Sequence, residues 1–423
     1  MANRLARLMG TVVLGVWAVP ATAQALPETP STPYDRTIAV RVALKGSGLF
    51  SHYPNNLDAF PTRRDATGFG RARIDTKVRL GRQTFGEAAY EHRLLASSSF
   101  SGLSLVRILP GDVAVPFRVR QLDWQVSSTS QVVWRHELDR AAIHSQIGSG
   151  ALTVGRQAIG WGRGVLFSAI DLFAPFTPLE VDREWRRGVD AVRADIKVTD
   201  HASADVVAAA GERLDESAFA ARFRGYTGDA DLELVVGRRA GDLLSGVASS
   251  IAFGGAELHG EASIVRLGNI APSRLFQMDQ QVVKAVAGLS RRLPIFNGVL
   301  FEAEYHYSGF GVTAARELPV ALADLEFRRR YLRGDFQVLT RHAIAALATS
   351  ESSPSVAWTA QWLTNPIDHS GIVVPSVTFT RGDRWSTVFS VYLPYGKAPE
   401  GLRLSSEYGS SPTSVFVELR FYR

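Results

Sequence analysis

Residues 70–80 read Gly70-Arg71-Ala72-Arg73-Ile74-Asp75-Thr76-Lys77-Val78-Arg79-Leu80. Ala72, Ile74, Thr76, Val78 and Leu80 fall on one face at a period of two. Arg71, Arg73, Asp75, Lys77 and Arg79 fall on the other. A helix would scatter both sets around its circumference, so the segment is a β-strand with charge along one side. Thr37 to Lys45 repeats the pattern, with Ile38, Val40, Val42 and Leu44 opposed to Arg41 and Lys45. One such strand also suits a soluble sandwich whose charged face meets water. The number of strands and the lengths of their connections decide between the two.

Working outward, about eighteen segments of this kind fill the chain from Thr37 to Tyr422, an even number typical of bacterial outer-membrane barrels. Numbered in order, the even connections are short and rich in turn residues. They include Gly81-Arg82-Gln83, Gly148-Ser149-Gly150, Thr227-Gly228-Asp229, Gly254-Gly255, Ser352-Ser353-Pro354 and Arg381-Gly382-Asp383. The long connections, near 47–68, 96–138, 161–187, 267–280, 309–340 and 396–412, are all odd. Short periplasmic turns alternating with long extracellular loops produce this parity, whereas a sandwich or solenoid has no reason to sort loops that way. The expected fold is therefore all-β: a closed antiparallel transmembrane barrel over residues 37–423.

The start of the chain is a targeting segment. Arg4 and Arg7 precede an apolar run from Met9 to Val19, Pro20 breaks it, and Ala21-Thr22-Ala23 follows as a small-x-small cleavage signature. Residues 1–23 are read as a signal peptide and 24–36, with three prolines, as a periplasmic linker. Loss of the two arginines lowers the formal net charge from +6 to +4, too mild an excess to indicate nucleic acid. With 46% hydrophobic residues the chain is not disordered. Beyond the N-terminus no stretch approaches the ~20 apolar residues of a membrane-spanning helix. The absence of cysteine excludes a disulfide scaffold, a thiolate zinc site and a cysteine nucleophile.

The last strand alternates Val415, Val417, Leu419 and Phe421 with Phe416, Glu418, Arg420 and Tyr422. A final strand rich in aromatics is similar to the signal by which barrel-insertion machinery recognises its clients, although Arg423 trails it. Trp358 and Trp362 share a face and suit either an aromatic girdle at the membrane surface or core packing.

A sheet crossing a bilayer must close on itself, because lipid offers no hydrogen-bond partners. Eighteen strands closed this way leave a bore wide enough for water. The charged faces must line it, since each Arg or Lys held at the lipid midplane costs about 2–4 kcal/mol. The inward set comprises Arg71, Arg73, Lys77 and Arg79; Glu87, Glu91 and Arg93; Arg222 and Arg224; Glu257, His259 and Glu261; and Glu302, Glu304 and His306.

The most distinctive stretch runs from Gly155 to Asp190. It reads Gly155-Arg156-Gln157-Ala158-Ile159-Gly160-Trp161-Gly162-Arg163-Gly164, then Asp171-Leu172-Phe173, then Asp182-Arg183-Glu184-Trp185-Arg186-Arg187-Gly188-Val189-Asp190. Four glycines in ten residues let a strand end bend sharply. The following connection, about 161–187, is expected to fold into the lumen as a constriction. Arg163, Asp182, Arg183, Glu184, Arg186 and Arg187 then either set a transverse field across the passage or pair with one another to hold the loop. Strict alternation places Arg156 on the lipid face. Either a bulge at Gly155 reverses the phase or Arg156 lies beyond the hydrocarbon.

The Gly-Arg-Gln-x-x-x-Trp-Gly-x-Gly run at 155–164, Asp171, the 182–190 run, Glu302–Tyr307 with Gly309 and Gly311, and the last strand resemble a group of Gram-negative outer-membrane β-barrel proteins. Their best-understood relatives in kind are porins and alginate-export-type channels. The resemblance implies about eighteen strands and a basic passage for an anionic polymer. It assigns no individual binding residue.

Catalytic motifs are missing: there is no His-Glu-x-x-His, Gly-x-Ser-x-Gly or phosphate-binding loop. His306 with Ser308, and Asp368 with His369 and Ser370, are the only groupings that suggest a hydrolase. No cofactor or metal site is read. Two functions remain. The favoured one is a passive channel for small or polymeric anionic solutes, an acidic polysaccharide among them. The other is a non-conducting structural, adhesive or hydrolytic barrel acting through the loops at 96–138 and 309–340. About 400 mature residues are too few for a plug domain plus a 22-stranded receptor.

Overall fold

A computed structural model describes residues 37–55, 62–98, 115–173, 175–180, 182–268, 270–401 and 403–423. The assignments of 1–23 and 24–36 lie outside these residues. Strands β1 (Ile38–His52), β2 (Arg64–Arg79), β3 (Thr84–Ser97), β4 (Asp123–Ser128), β5 (Val132–Ile147) and β6 (Gly150–Gln157) open the chain. Next come β7 (Val189–Thr199), β8 (Ala202–Ala209), β9 (Ala218–Thr227), β10 (Ala230–Arg239), β11 (Asp242–Phe253), β12 (Ala256–Arg266) and β13 (Gln281–Leu293). The last are β14 (Val299–Ser308), β15 (His342–Ser353), β16 (Val356–Asn365), β17 (Ser370–Arg381), β18 (Trp385–Tyr395) and β19 (Thr413–Tyr422). Two short helices, α1 (Leu318–Ala323) and α2 (Leu325–Arg333), lie between β14 and β15.

Every neighbouring pair is antiparallel, and β1 pairs with β2 on one edge and with β19 on the other, so the sheet closes. Arg423 extends the seam by exchanging two backbone hydrogen bonds with Val42. Eighteen of the nineteen strands form the wall. The exception is β4, which pairs with residues 133–137 of β5 on the edge that the shorter β6 leaves free above 141–147. All eighteen expected strands are present. Connections on the side of the chain termini hold two to five residues, as at 148–149 and 294–298; the long ones, including 158–188 and 309–341, open on the other side.

Exposure is inverted relative to a soluble protein. On β1 Val40 is 59% exposed and Lys45 4%, and on β19 Leu419 is 47% exposed and Glu418 2%. The apolar side of each strand faces outward and the charged side is buried in the bore, as a hydrocarbon surround requires. Trp362 lies on the outward face near the loop end, where its indole Nε1 donates to Tyr395 Oη at 2.8 Å. Trp358 sits on the same face near the turn end, so the two tryptophans belong to opposite rims. Among the described residues no helix is long and apolar enough to cross a membrane.

Val247, in the middle of β11, faces outward between Leu234 and Ala262. Val247→Arg is expected to lower folding stability in lipid vesicles by about 2–4 kcal/mol, and the inward Ser376→Arg by less than about 1 kcal/mol. Denaturant titration of the vesicle-inserted protein measures both; equal costs would mean that the two faces do not meet different solvents.

Candidate functional site

The chain leaves β6 at the glycine-rich run. Gly155 has φ +119°, and a Cβ there would lie 2.2 Å from the Ala141 carbonyl oxygen, so the strand can turn only at glycine. The register of β6 with both neighbours continues unbroken through Arg156. Arg156 is buried by the 120–122 chain: its guanidinium donates to the Gln121 and Leu138 carbonyls at 2.7 and 2.9 Å and pairs with Asp190 at 2.6 Å. Neither lipid nor a phase reversal is involved. The arginine ties the end of β6 to its surroundings.

The described residues of 158–188 then lie within the bore, held by backbone donors that no ladder satisfies. Glu261 of β12 accepts from the Arg163, Gly164, Ala169 and Ile170 N–H groups and from Ser168 Oγ. Glu304 of β14 accepts from the Val165, Leu166 and Phe167 N–H groups, and His259 Nε2 lies 3.0 Å from Oε1, the oxygen that accepts from Val165. The tight turn leaves no room for a side chain at Gly164, whose Cβ would sit 1.9 Å from the Phe167 carbonyl oxygen.

The second half of the loop meets the opposite wall. Asp182 pairs with Lys45 at 2.8 Å and Arg71 at 2.9 Å, and Glu184 with Lys45 at 2.6 Å. The Trp185 ring lies 3.9 Å from Lys45 Nζ and 5.1 Å from the Arg73 guanidinium. Arg73 bridges Glu91 and Asp139, and Arg187 and Arg93 share Glu137. Arg118 joins Glu137 to Asp139 and donates to the Gly188 carbonyl.

The structure thus brings together Arg71, Arg73, Asp182, Glu184 and Arg187 of the expected residues. Arg163 and Arg222 belong to a second cluster with Asp231, Glu233 and Asp205, Arg224 pairs with Asp195, and Arg186 with Asp171. Lys77 and Arg79 lie nearer the turn end, Arg79 exposed. The loop's charges pair with the barrel wall more than with one another. Lys45, Arg118, Glu137 and Asp139 were missed: Arg118 and Glu137 fell in the 96–138 segment read as loop, and Asp139 stood at the first residue of the strand that follows it.

Arg183 differs from these. Its guanidinium donates to the Thr177 and Pro178 carbonyls and forms no ion pair among the described residues. Gln361 of β16 donates to the same Pro178 carbonyl at 2.7 Å, so Arg183 stands at the edge of the wall made by β15–β18. That wall turns Leu347, Thr349, Thr359, Ser376, Val388 and Ser390 inward and carries no arginine or lysine on its inner face between the rims.

Above the loop, the long connections pack over the bore. Phe276, Phe310, Phe327 and Phe336 stack in one buried cluster, and Arg330 on α2 pairs with Asp242, Asp335 and Glu326. Glu407 fastens three connections and forms no ion pair among the described residues. Its carboxylate accepts from the Leu339 and Thr340 N–H groups, Thr340 Oγ1 and Asn365 Nδ2 at 2.5–3.3 Å. Burial, with Asp368 nearby, pushes its pKa up to about 7.

The groupings that suggested a hydrolase are occupied structurally. His306 packs against the Phe167 ring, with neither ring nitrogen hydrogen-bonded among the described residues, and Ser308 Oγ accepts from Phe310 N. Asp368 accepts from Ser370 N and Oγ and from Glu407 N.

This geometry defines an eighteen-stranded barrel of the porin type with an inward-folded loop. No family model matches the chain, and no curated protein matches it either. Solved structures do. Acinetobacter baumannii OccAB1 superposes with a TM-score of 0.56 at 8% identity, over 91% of this chain and 96% of that one. Acinetobacter baumannii OccAB4 gives 0.52 at 8% identity, over 92% and 99%. The Pseudomonas aeruginosa outer-membrane protein OpdK gives 0.51 at 7%, over 91% and 99%. What is shared at such identities is the fold.

Two consequences can be measured. Replacing Glu261 and Glu304 by alanine strands buried N–H groups at a cost of about 1–3 kcal/mol each. The double variant is expected to keep its strand content and expose the 158–188 loop to trypsin; wild-type protection would show that the carboxylates do not hold it. The Glu407 pKa is raised above that of a solvated carboxyl, so its contribution to loop closure is full at low pH and is lost as pH rises from about 4.5 through about 7. Hydrogen exchange in 339–340 and 396–412 is expected to quicken over that range in the wild type and to stay flat in Glu407→Gln.

Proposed function

We propose that this chain is a passive, porin-like channel of the bacterial outer membrane that favours anionic solutes, acidic sugars and their polymers among them. An apolar exterior and a polar bore support placement in that membrane, with its lipids and the barrel-insertion machinery as partners. The observation that carries the solute class is Arg183: a loop welded to the charged walls by ion pairs presents one cation that forms no ion pair among the described residues, with Glu180 and Glu304 the nearest carboxylates acting on it, beside an uncharged wall of hydroxyl and aliphatic side chains. Arg71 pairs with the loop and Arg73 with the wall beneath it, and Arg183 with the small surplus of positive charge biases the passage. The similarity of 155–190 to porin-like and alginate-export-like proteins agrees with this reading.

A second reading has its own observation. The buried phenylalanine cluster and the Glu407 clasp cover the outer end, as they would in a non-conducting barrel working through its loops.

Planar-bilayer recording separates the two. The channel reading expects stable conductance, chloride preferred over potassium, with the preference falling as salt screens the bore. Arg183→Glu is expected to reduce or reverse the preference and leave the barrel folded. Silence from correctly folded protein favours the second reading, and cation preference in the wild type removes the anionic one.

A further inference from the structure

Inside the barrel nearly every arginine is joined to a carboxylate, yet at the outer end three cations that form no ion pair among the described residues line one cavity. Arg316, in the 309–341 connection, and Lys397 and Arg403, in the 396–412 connection, line a space of about 390 Å³ whose remaining wall is the 365–368 chain. None of the three forms an ion pair among the described residues. The volume falls within the range of about 300–1,000 Å³ usual for small-molecule sites.

Two carboxylates share the lining. Asp368 is turned into the protein, where Ser370 and the Glu407 N–H group occupy its oxygens at 2.6–2.9 Å. Glu400 remains, exposed, on a turn whose backbone exchanges hydrogen bonds with Arg403 at 3.0 Å. Glu317, beside Arg316 at the rim, is a second, partly exposed carboxylate, so two outward-facing negative charges oppose three positive ones. The same cavity has apolar sides from Ala314, Ala315, Ile367 and Leu404 and a hydroxyl group from Ser405, while the Thr313 hydroxyl donates to Glu317 at 2.9 Å. Guanidinium forks match carboxylates bidentately, and the apolar sides suit a carbon skeleton that an inorganic anion lacks.

We propose that this cavity is a binding site for a small organic polycarboxylate at the outer mouth of the barrel. Its three walls are separate connections, held in place by the Glu407 clasp and by Ser406 Oγ donating to the Lys397 carbonyl at 2.8 Å. That the bound anion passes onward through the bore rests on the channel reading; the binding does not. The site lies above β15–β18, the wall beside which Arg183 stands, so a captured anion would next meet that guanidinium.

Citrate titrated calorimetrically into the detergent-solubilised full chain tests the site. Saturable binding is expected, weakening as ionic strength rises. The triple variant Arg316→Ala, Lys397→Ala, Arg403→Ala, confined to exposed side chains, is expected to lose at least about tenfold in affinity, or about 1.4 kcal/mol. Citrate that fails to bind the wild type, or binds the variant equally well, overturns the site. Inorganic phosphate competing as strongly as citrate overturns the polycarboxylate assignment. Bilayer recording of the same samples keeps the two proposals apart. Conductance without citrate binding removes the site and leaves the channel, and binding to a silent barrel does the reverse.

Discussion

Closure of the sheet governs everything else in this molecule. A strand in hydrocarbon must place every N–H and C=O against another strand, and the pairing of β1 with both β2 and β19 leaves the wall without an edge. Closure also sorts the side chains, with apolar residues outward and charge inward. It creates a problem as well: eighteen strands enclose more space than their own side chains can fill. The 158–188 chain and the outer connections take up that space, which is why Phe167, Ile170 and Phe173 form a buried apolar core where a wide water-filled bore was expected.

Two chemistries hold the inserted loop, one on each side. Towards β12 and β14 the donors are backbone N–H groups, which lose their ladder partners once the chain leaves the sheet, and the acceptors are Glu261 and Glu304. Towards β1–β5 side-chain charges meet in opposed pairs. Buried ion pairs add little net stability, because desolvation offsets attraction, but removing one partner is costly. The array around Arg73, Glu137 and Asp139 therefore fixes where the loop lies more than it strengthens the fold. Mixed carboxylate and guanidinium groups within a few ångströms leave little room for an alternative seating.

Much of this was legible from the chain alone. Period-two alternation located all eighteen wall strands, and the parity of connection lengths put the long loops on one side. The first half of β5 was hidden by a bulge. Ala89 pairs with Arg140 and Tyr90 with Leu138, so Asp139 is an extra residue that shifts the phase. Alternation counted back from the outward Ile143 places Asp139 and Glu137 on the lipid side, and the segment then looks like loop. The short β4 offers only Trp124 and Val126 as an alternating pair and depends on the edge that β6 vacates. The partners of Asp182 and Glu261 are set by contacts across the bore, which no local pattern encodes. The unpaired state of Glu407 follows likewise from how three distant connections meet.

Because most lumen charges are paired, the number of arginines in the bore says little about its selectivity. A guanidinium 2.8–3.2 Å from a carboxylate, as Arg73 is from Asp139 and Glu91, acts on a passing ion as a dipole, whose influence fades faster with distance than that of a single charge. An uncompensated charge in salt water still acts over a Debye length of about 8–10 Å, the scale of a narrowed passage. Selectivity should then follow the few side chains left over from pairing. On β2, Arg71 is taken up by Asp182 of the loop and Arg73 by Glu91 and Asp139 of the wall, and the field across the passage passes to Arg183, a residue on which strand alternation says nothing.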